Sequence, residues 1–325
     1  MLITGSAYLT LGTTAPTSGQ IPVTGSIIWY ETGSCKLQYA YNAPGAFTAA
    51  SAMNVARINL AGAGTQTSAI AFGGFIISGT GFSACTEKYN GTSWTNASAM
   101  NTARNLLAGA GTQNAALAFG GYPGYTCTEK YNGTSWSTAT AMNAGAQGLA
   151  GAGTQNAAIS FGGYSGATGP GCTEKYNGTS WTTTSGINTI RTYLGGVGTQ
   201  NSALAFGGYP GYPTQLTEKY NGTSWSTASP MITPRALPAG AGTQNSALAA
   251  GGYNLSGPQI NNAEIYNGST WVVTGYLNIG RHGLAAAGTT GAGIVFGGYN
   301  TDNGFDTTCT ETFTTNNLSP FVSTL

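Results

Sequence analysis

An all-β fold made of repeated four-stranded sheets is predicted by three features of this 325-residue sequence. A Gly-Gly pair closes an apolar run at Gly73-Gly74, Gly120-Gly121, Gly162-Gly163, Gly207-Gly208, Gly251-Gly252 and Gly297-Gly298, with spacings of 47, 42, 45, 44 and 46 residues. After a variable stretch each pair is followed by a Glu-x-aromatic segment, beginning at Glu87, Glu129, Glu174, Glu218, Glu264 and Glu311. Five of these segments run through Asn-Gly into a tryptophan: Trp94, Trp136, Trp181, Trp225 and Trp271. Self-similarity at a period of about 45 residues means that one supersecondary unit is stacked on its own copies.

Each element of the repeat has its own signal. Strand one is a small-residue run such as 107–111, suited to a crowded centre. A turn at Thr112-Gln113-Asn114 leads into strand two, 115–119, which ends in Gly-Gly. Strand three holds Glu129 to Tyr131 and strand four holds Trp136, with bulky rings suited to the wider outer gaps. Asn132-Gly133 joins the last two strands, and Asn-Gly between two alternating runs is the strongest short hairpin signal, because both residues tolerate positive φ. The sequons at Asn90, Asn132, Asn177, Asn221 and Asn267 coincide with these turns and are explained by turn chemistry.

The order Arg, small-residue strand, apolar strand, Gly-Gly, Glu-x-Tyr, Trp resembles the kelch repeat from Arg57 to Phe313. The resemblance implies a kelch-type β-propeller, a ring of radial sheets, occupying residues 1–325 as one domain. Residues 51–325 carry six clear repeats. Residues 1–50 read as a divergent blade, with Tyr8 to Gly12 as strand one, Ile27 to Tyr30 as strand two, Lys36 to Tyr41 as strand three and Phe47 in the tryptophan position. Seven four-stranded blades are therefore expected; six blades plus an N-terminal closing segment is the alternative. Leu318 aligns with the tryptophan position of the last repeat, which places the following tail near the N-terminal strands.

Composition narrows the function. Only 6% of residues are charged, with net charge +1, and no Lys/Arg cluster of the kind that neutralises phosphates is present, so nucleic acid is an unlikely partner. No apolar run reaches the length of a membrane span. Met1-Leu2-Ile3-Thr4-Gly5 has neither a basic nor an apolar leader segment, so no secretory signal and a cytoplasmic site of assembly are expected.

Cys85, Cys127, Cys172 and Cys309 stand at one repeat position, hence in different blades, and are expected to be buried and reduced rather than bridged. Zinc needs four converging ligands, and the chain has one histidine, His282; no metal or other cofactor is expected. The same count rules out the copper chemistry of galactose oxidase, a kelch-type enzyme, and arginines locked to the repeat give no sialidase-like triad. Arg57, Arg104, Arg191, Arg235 and Arg281 recur before strand one, with Ala146 in the third repeat, and are expected to satisfy backbone carbonyls or the repeated glutamates. Asp302 and Asp306 share a loop without a calcium-loop pattern and read as solvated. No catalytic residue is assigned, and the protein is expected not to be an enzyme.

Binding is expected on the two-three loops. The one-two and three-four turns hardly vary, whereas these loops hold 10, 5, 8, 7, 9 and 10 residues before the cysteine position. Variable loops on a constant scaffold are where recognition sits. The candidate contacts are Tyr122, Tyr125, Tyr164, Tyr209, Tyr212, Tyr253 and Tyr299, set among Ser, Thr, Asn and Gly as in a paratope. The aromatic directly after each Gly-Gly recurs in every repeat, which also fits packing between loops. Tyr125 and Tyr212 are not present in every repeat and are the better contact candidates.

The phrases YNGTSWT, AMNTAR and AGAGTQNAALAFGGY resemble kelch-like repeat proteins of tailed bacteriophages, and residues 23–47 are similar to segments of phage fibre and neck proteins. The resemblance implies a virion component: a tail fibre, tail-tip adhesin or decoration that meets other virion proteins and host surface glycan and is able to self-associate. A purely structural role, and more weakly a carbohydrate-active enzyme, are the alternatives.

Overall fold

A computed structural model describes residues 26–31, 36–41, 45–79, 81–123, 125–164, 172–254, 260–300 and 304–315, the first two segments as backbone. The chain divides into two compact units, Phe47–Thr314 and Met1–Ala46 with Thr315–Leu325. In the second of these, Ser26–Glu31 and Lys36–Tyr41 form an antiparallel hairpin in register Ser26 to Tyr41.

Phe47–Thr314 is a β-propeller of six four-stranded antiparallel blades. Five blades are continuous in sequence. In the second, the strands are Ala108–Thr112, Ala115–Phe119, Thr128–Tyr131 and Trp136–Ala139, in that spatial order. The sixth blade takes Ala285–Gly288, Ala292–Phe296 and Thr310–Thr314 from the end of the ring and its outermost strand, Ala46–Ala50, from the beginning. The innermost strands contact one another in sequence, and Ala285–Gly288 returns to Ala61–Thr65.

The seven-blade expectation is thus corrected to its alternative, six blades closed by an N-terminal segment. Ile27–Tyr30 and Lys36–Tyr41 pair with each other rather than extending a blade, and Phe47 supplies the aromatic of blade six. Tyr8 to Gly12 and Leu318 lie outside the described residues.

The repeated side chains explain how the blades cohere. Each outer-strand tryptophan packs on the strand-two phenylalanine of the preceding blade, as Trp136 on Phe72 (ring centroids 5.0 Å) and Trp94 on Phe296 (4.9 Å). Its indole N–H donates to a strand-three threonine of that blade, as Trp136 to Thr86 (2.9 Å) and Trp181 to Thr128 (3.0 Å). At the junction of blades five and six, Phe47 has no N–H to give, and Ala263 stands where the other blades have threonine; both belong to one buried cluster.

On the turn side, Gln113 donates to the carbonyls of Ala69 and Tyr89 in the preceding blade (3.0 and 2.6 Å), and Gln155, Gln200 and Gln244 repeat the pattern. Lys88 reaches Asn114 of the next blade and lies 5.9 Å from the Tyr131 ring centroid.

In the Asn-Gly turns the glycine alone has a positive φ. Gly91 has φ 96°, but the asparagine side chain does the rest: Asn90 Oδ1 accepts from the amides of Thr92 and Ser93, both at 2.9 Å. The loop is four residues long, held by an asparagine that mimics backbone.

Candidate functional site: the loop face and its axial mouth

Four antiparallel strands per blade sort the connections by face. One-two and three-four turns share one end; two-three loops and blade-to-blade connections share the other, called here the loop face. It is held by buried ion pairs. Arg57 lies 2.8 Å from Glu87, Arg104 2.5 Å from Glu129, Arg235 2.5 Å from Glu264 and Arg281 2.5 Å from Glu311, and Arg191 pairs with Glu218. All five arginine side chains are fully buried. Arg57 also donates to the carbonyls of Gly73 and Cys85 (2.9 and 2.6 Å), while Glu87 accepts the Asn54 amide (2.6 Å). Burial lowers the Arg57 and Arg235 guanidinium pKa, and Glu87 and Glu264 oppose the shift. Ionisable groups are therefore committed to holding each connection to its blade, as the repeat positions imply.

The Gly-Gly pairs exist because of this arrangement. Gly74 has φ 108°, and its amide donates to the carbonyl of Arg104 in the next blade (2.9 Å); a Cβ on Gly73 would lie 2.9 Å from that same oxygen. Five equivalent bonds follow, and the last, Gly298 to Arg57 (2.9 Å), closes the circle.

Just beyond each arginine position the chain pairs with the aromatic that follows Gly-Gly: Ile58 with Phe75, Asn105 with Tyr122, Gln147 with Tyr164, Thr192 with Tyr209, Ala236 with Tyr253 and His282 with Tyr299. The next residue in every repeat adopts a left-handed conformation: Asn59, Leu106, Gly148, Tyr193, Leu237 and Gly283, with φ between 54° and 63°. Their amides form a closed hydrogen-bonded ring around the axis. Leu106 donates to Asn59 (2.9 Å), Gly148 to Leu106 (2.9 Å), Tyr193 to Gly148 (2.7 Å), Leu237 to Tyr193 (2.7 Å), Gly283 to Leu237 (3.2 Å) and Asn59 to Gly283 (2.7 Å). Below this ring Leu60, Leu107, Leu149, Leu194, Pro238 and Leu284 line a cavity of about 120 Å³.

Leucine and tyrosine in the left-handed region are uncommon, costing about 1–2 kcal/mol each. Strain of this kind gathers where a surface is used. Sequence reasoning missed the ring, because only the four side-chain-bearing residues are unusual, and nothing in Leu or Tyr announces a positive φ.

The structure brings five of the seven candidate tyrosines together. Tyr122, Tyr164, Tyr209, Tyr253 and Tyr299 occupy one circle around the mouth. Tyr122 and Tyr164 are 41% and 50% exposed; the other three are half-buried. Tyr125 packs edge-on against Tyr122 (5.5 Å) and Tyr212 projects from its loop at 63% exposure, both outside the circle.

His282 lies between Tyr253 and Tyr299 (5.8 and 5.4 Å), and burial pushes its pKa down to about 4, so it is neutral at pH 7. Asp306 is buried rather than solvated: its Oδ2 accepts the amide of Ile77 in the neighbouring loop (3.2 Å), and Asp302 lies outside the described residues. Cys85, Cys127, Cys172 and Cys309 are unbridged and half-buried rather than fully buried. Among the described residues no group of three His, Cys, Asp or Glu converges as a metal site. Among the described residues no helix is long and apolar enough to cross a membrane.

Large exposed apolar side chains are confined to one side. Ile77, Tyr122, Tyr164, Tyr212 and Phe305 lie on two-three loops, Ile190 and Ile232 on blade-to-blade connections, and Tyr276 at the strand end leading into one. The turn face has none among the described residues.

The fold is shared with the solved structure of YjhT, which superposes with a TM-score of 0.68 over 83% of this chain and 98% of that one, at 15% identity. Likeness at that identity concerns the fold. The sequence matches no protein-family model and no curated protein.

Proposed function

We propose that this propeller is a kelch-type, non-enzymatic recognition module that binds an uncharged ligand, surface glycan, across its loop face. The carrying observation is the one-sided distribution of exposed rings and aliphatic groups around the axial mouth. Apart from five buried arginines, the loops and connections of this face hold only His282, Asp302 and Asp306 among Lys, Arg, His, Asp and Glu residues. Tyrosines among Ser, Thr, Asn and Gly supply rigid stacking surfaces and adaptable hydrogen bonds. The phage-like phrases of the repeat support a virion-borne module, a fibre or tip protein, that meets host polysaccharide. The test is adsorption of the purified protein to host cells and to a neutral-glycan array. Tyr122→Ala and Tyr212→Ala should each reduce binding several-fold with unchanged melting temperature; retained binding in the double variant would sink the reading.

A second reading, a structural decoration, draws on the separate grouping of Met1–Ala46 and Thr315–Leu325 outside the ring unit. Here particle incorporation would require residues 1–25, and glycan would not be bound.

A further inference from the structure

One blade lacks its arginine. Ala146 stands where the other five blades carry Arg57, Arg104, Arg191, Arg235 and Arg281. Its glutamate is retained: Glu174 is fully buried, accepts the amides of Asn143 (2.9 Å) and Ala144 (2.7 Å), and meets no cationic side chain among the described residues. The backbone has not collapsed into the gap, since Gly121 still donates to the Ala146 carbonyl (2.8 Å). A cavity of about 10 Å³ remains, lined by Ala146, Ser160, Gly162, Cys172 and Glu174 among others. In blade one, Arg57 donates to the carbonyls of Gly73 and Cys85 and to Glu87; Gly162, Cys172 and Glu174 are the same three repeat positions.

A second departure coincides with the first. The strand-two residue paired with the glutamate is Ala71, Ala118, Ala205, Ala249 or Val295 in the blades that have arginine, and Ser160 in the blade that does not. Ser160 is 2% exposed. A buried hydroxyl has been added where a buried guanidinium was lost.

We infer that this cavity is a binding site for a potassium-sized monovalent cation, held by the Glu174 carboxylate with oxygens of Ser160, Gly162 and Cys172. Charge and size both select it. The group it replaces carries one positive charge, and a buried carboxylate left without its partner is strongly destabilising. A cavity of about 10 Å³ takes a single body the size of a water molecule. A divalent ion would bring two charges to a single buried carboxylate, so neither calcium, ordinarily held by several charged oxygens, nor magnesium, which keeps several waters of its own, suits the site.

The test compares thermal unfolding in potassium chloride and in choline chloride at equal ionic strength. Mass action predicts a midpoint that rises with potassium concentration, by about 2 °C or more at saturation over choline. Glu174→Gln and Ala146→Arg should each abolish the difference, the second because its guanidinium supplies the positive charge in place of the ion. Crystals of the wild type soaked in rubidium chloride should show anomalous density beside Glu174, absent in Ala146→Arg. Equal midpoints in the two salts, or rubidium found only at other positions as an adventitious ion, would overturn the inference and leave water as the occupant.

Discussion

Trp94 donates its indole N–H to Thr310 Oγ1 across 3.1 Å, joining the first blade to the last between residues 216 positions apart. The bond is one of five like it, but this one spans the closure of the ring. Thr310→Val should cost about 1–2 kcal/mol in urea unfolding, the penalty of leaving a buried donor unpaired. Ala263→Thr should also destabilise, because the new hydroxyl would be buried in the one junction whose facing ring, Phe47, offers no N–H. A stabilising Ala263→Thr would mean that the junction contains a partner for the hydroxyl.

Arg104→Met should be among the most damaging single changes, at about 3 kcal/mol or more, because it strands Glu129 in the interior. Adding Glu129→Gln to Arg104→Met should restore part of the loss. Chemical denaturation of the three proteins reads both effects; equal stability of the single variant and the wild type would show that the pair contributes nothing.

The left-handed ring predicts an inverted size rule at the axial mouth. Leu106→Gly releases backbone strain at φ 54° while removing a half-buried side chain, so stability should stay within about 1 kcal/mol of wild type. Its neighbour Leu107 is buried in an ordinary conformation, and Leu107→Ala should cost about 2–4 kcal/mol. If Leu106→Gly also weakens glycan binding while Leu107→Ala does not, the strain serves recognition.

His282 gives a pH dependence whose sign follows from its depressed pKa. The unfolded chain takes up the proton near pH 6.5 and the folded chain near pH 4, so folding is disfavoured progressively as pH falls through that window. Above about pH 6.5 the contribution vanishes. His282→Gln should flatten the fall in melting temperature between pH 6.5 and 4 relative to wild type; parallel curves would indicate an exposed imidazole.

Much of the ring was legible because its signals recur in phase. The boundaries of strand two at 115–119, the Asn-Gly turns and the structural role of the arginines are all repeat-level facts, and each copy corroborates the others. Blade number was misread because Phe47 resembles a tryptophan position with no repeat around it. The information needed was elsewhere: Ala263, in place of the threonine that accepts an indole bond, marks the junction where the next outer strand lacks tryptophan. Cross-blade pairing of that kind is invisible until the register between blades is known. The candidate site was legible as loops and tyrosines, but not as a circle. That circle depends on backbone bridges between each Gly-Gly aromatic and the residue after an arginine in the same repeat, about 17 positions earlier in sequence. Tyr125 and Tyr212 stand at one position of a Gly-Gly-Tyr-Pro-Gly-Tyr segment shared by two repeats, yet Tyr125 leans on Tyr122 while Tyr212 projects, a difference the shared segment does not encode.

Borrowing the outermost strand of blade six from the other end of the ring sets the timing of assembly on the ribosome. Ala46–Ala50 emerges early and has no sheet to join until Thr310–Thr314 has been made. Five blades are able to form as they are synthesised while the sixth waits. A product cut short before Thr310 therefore lacks the strand that joins Ala292–Phe296 to Ala46–Ala50, and its ring stays open.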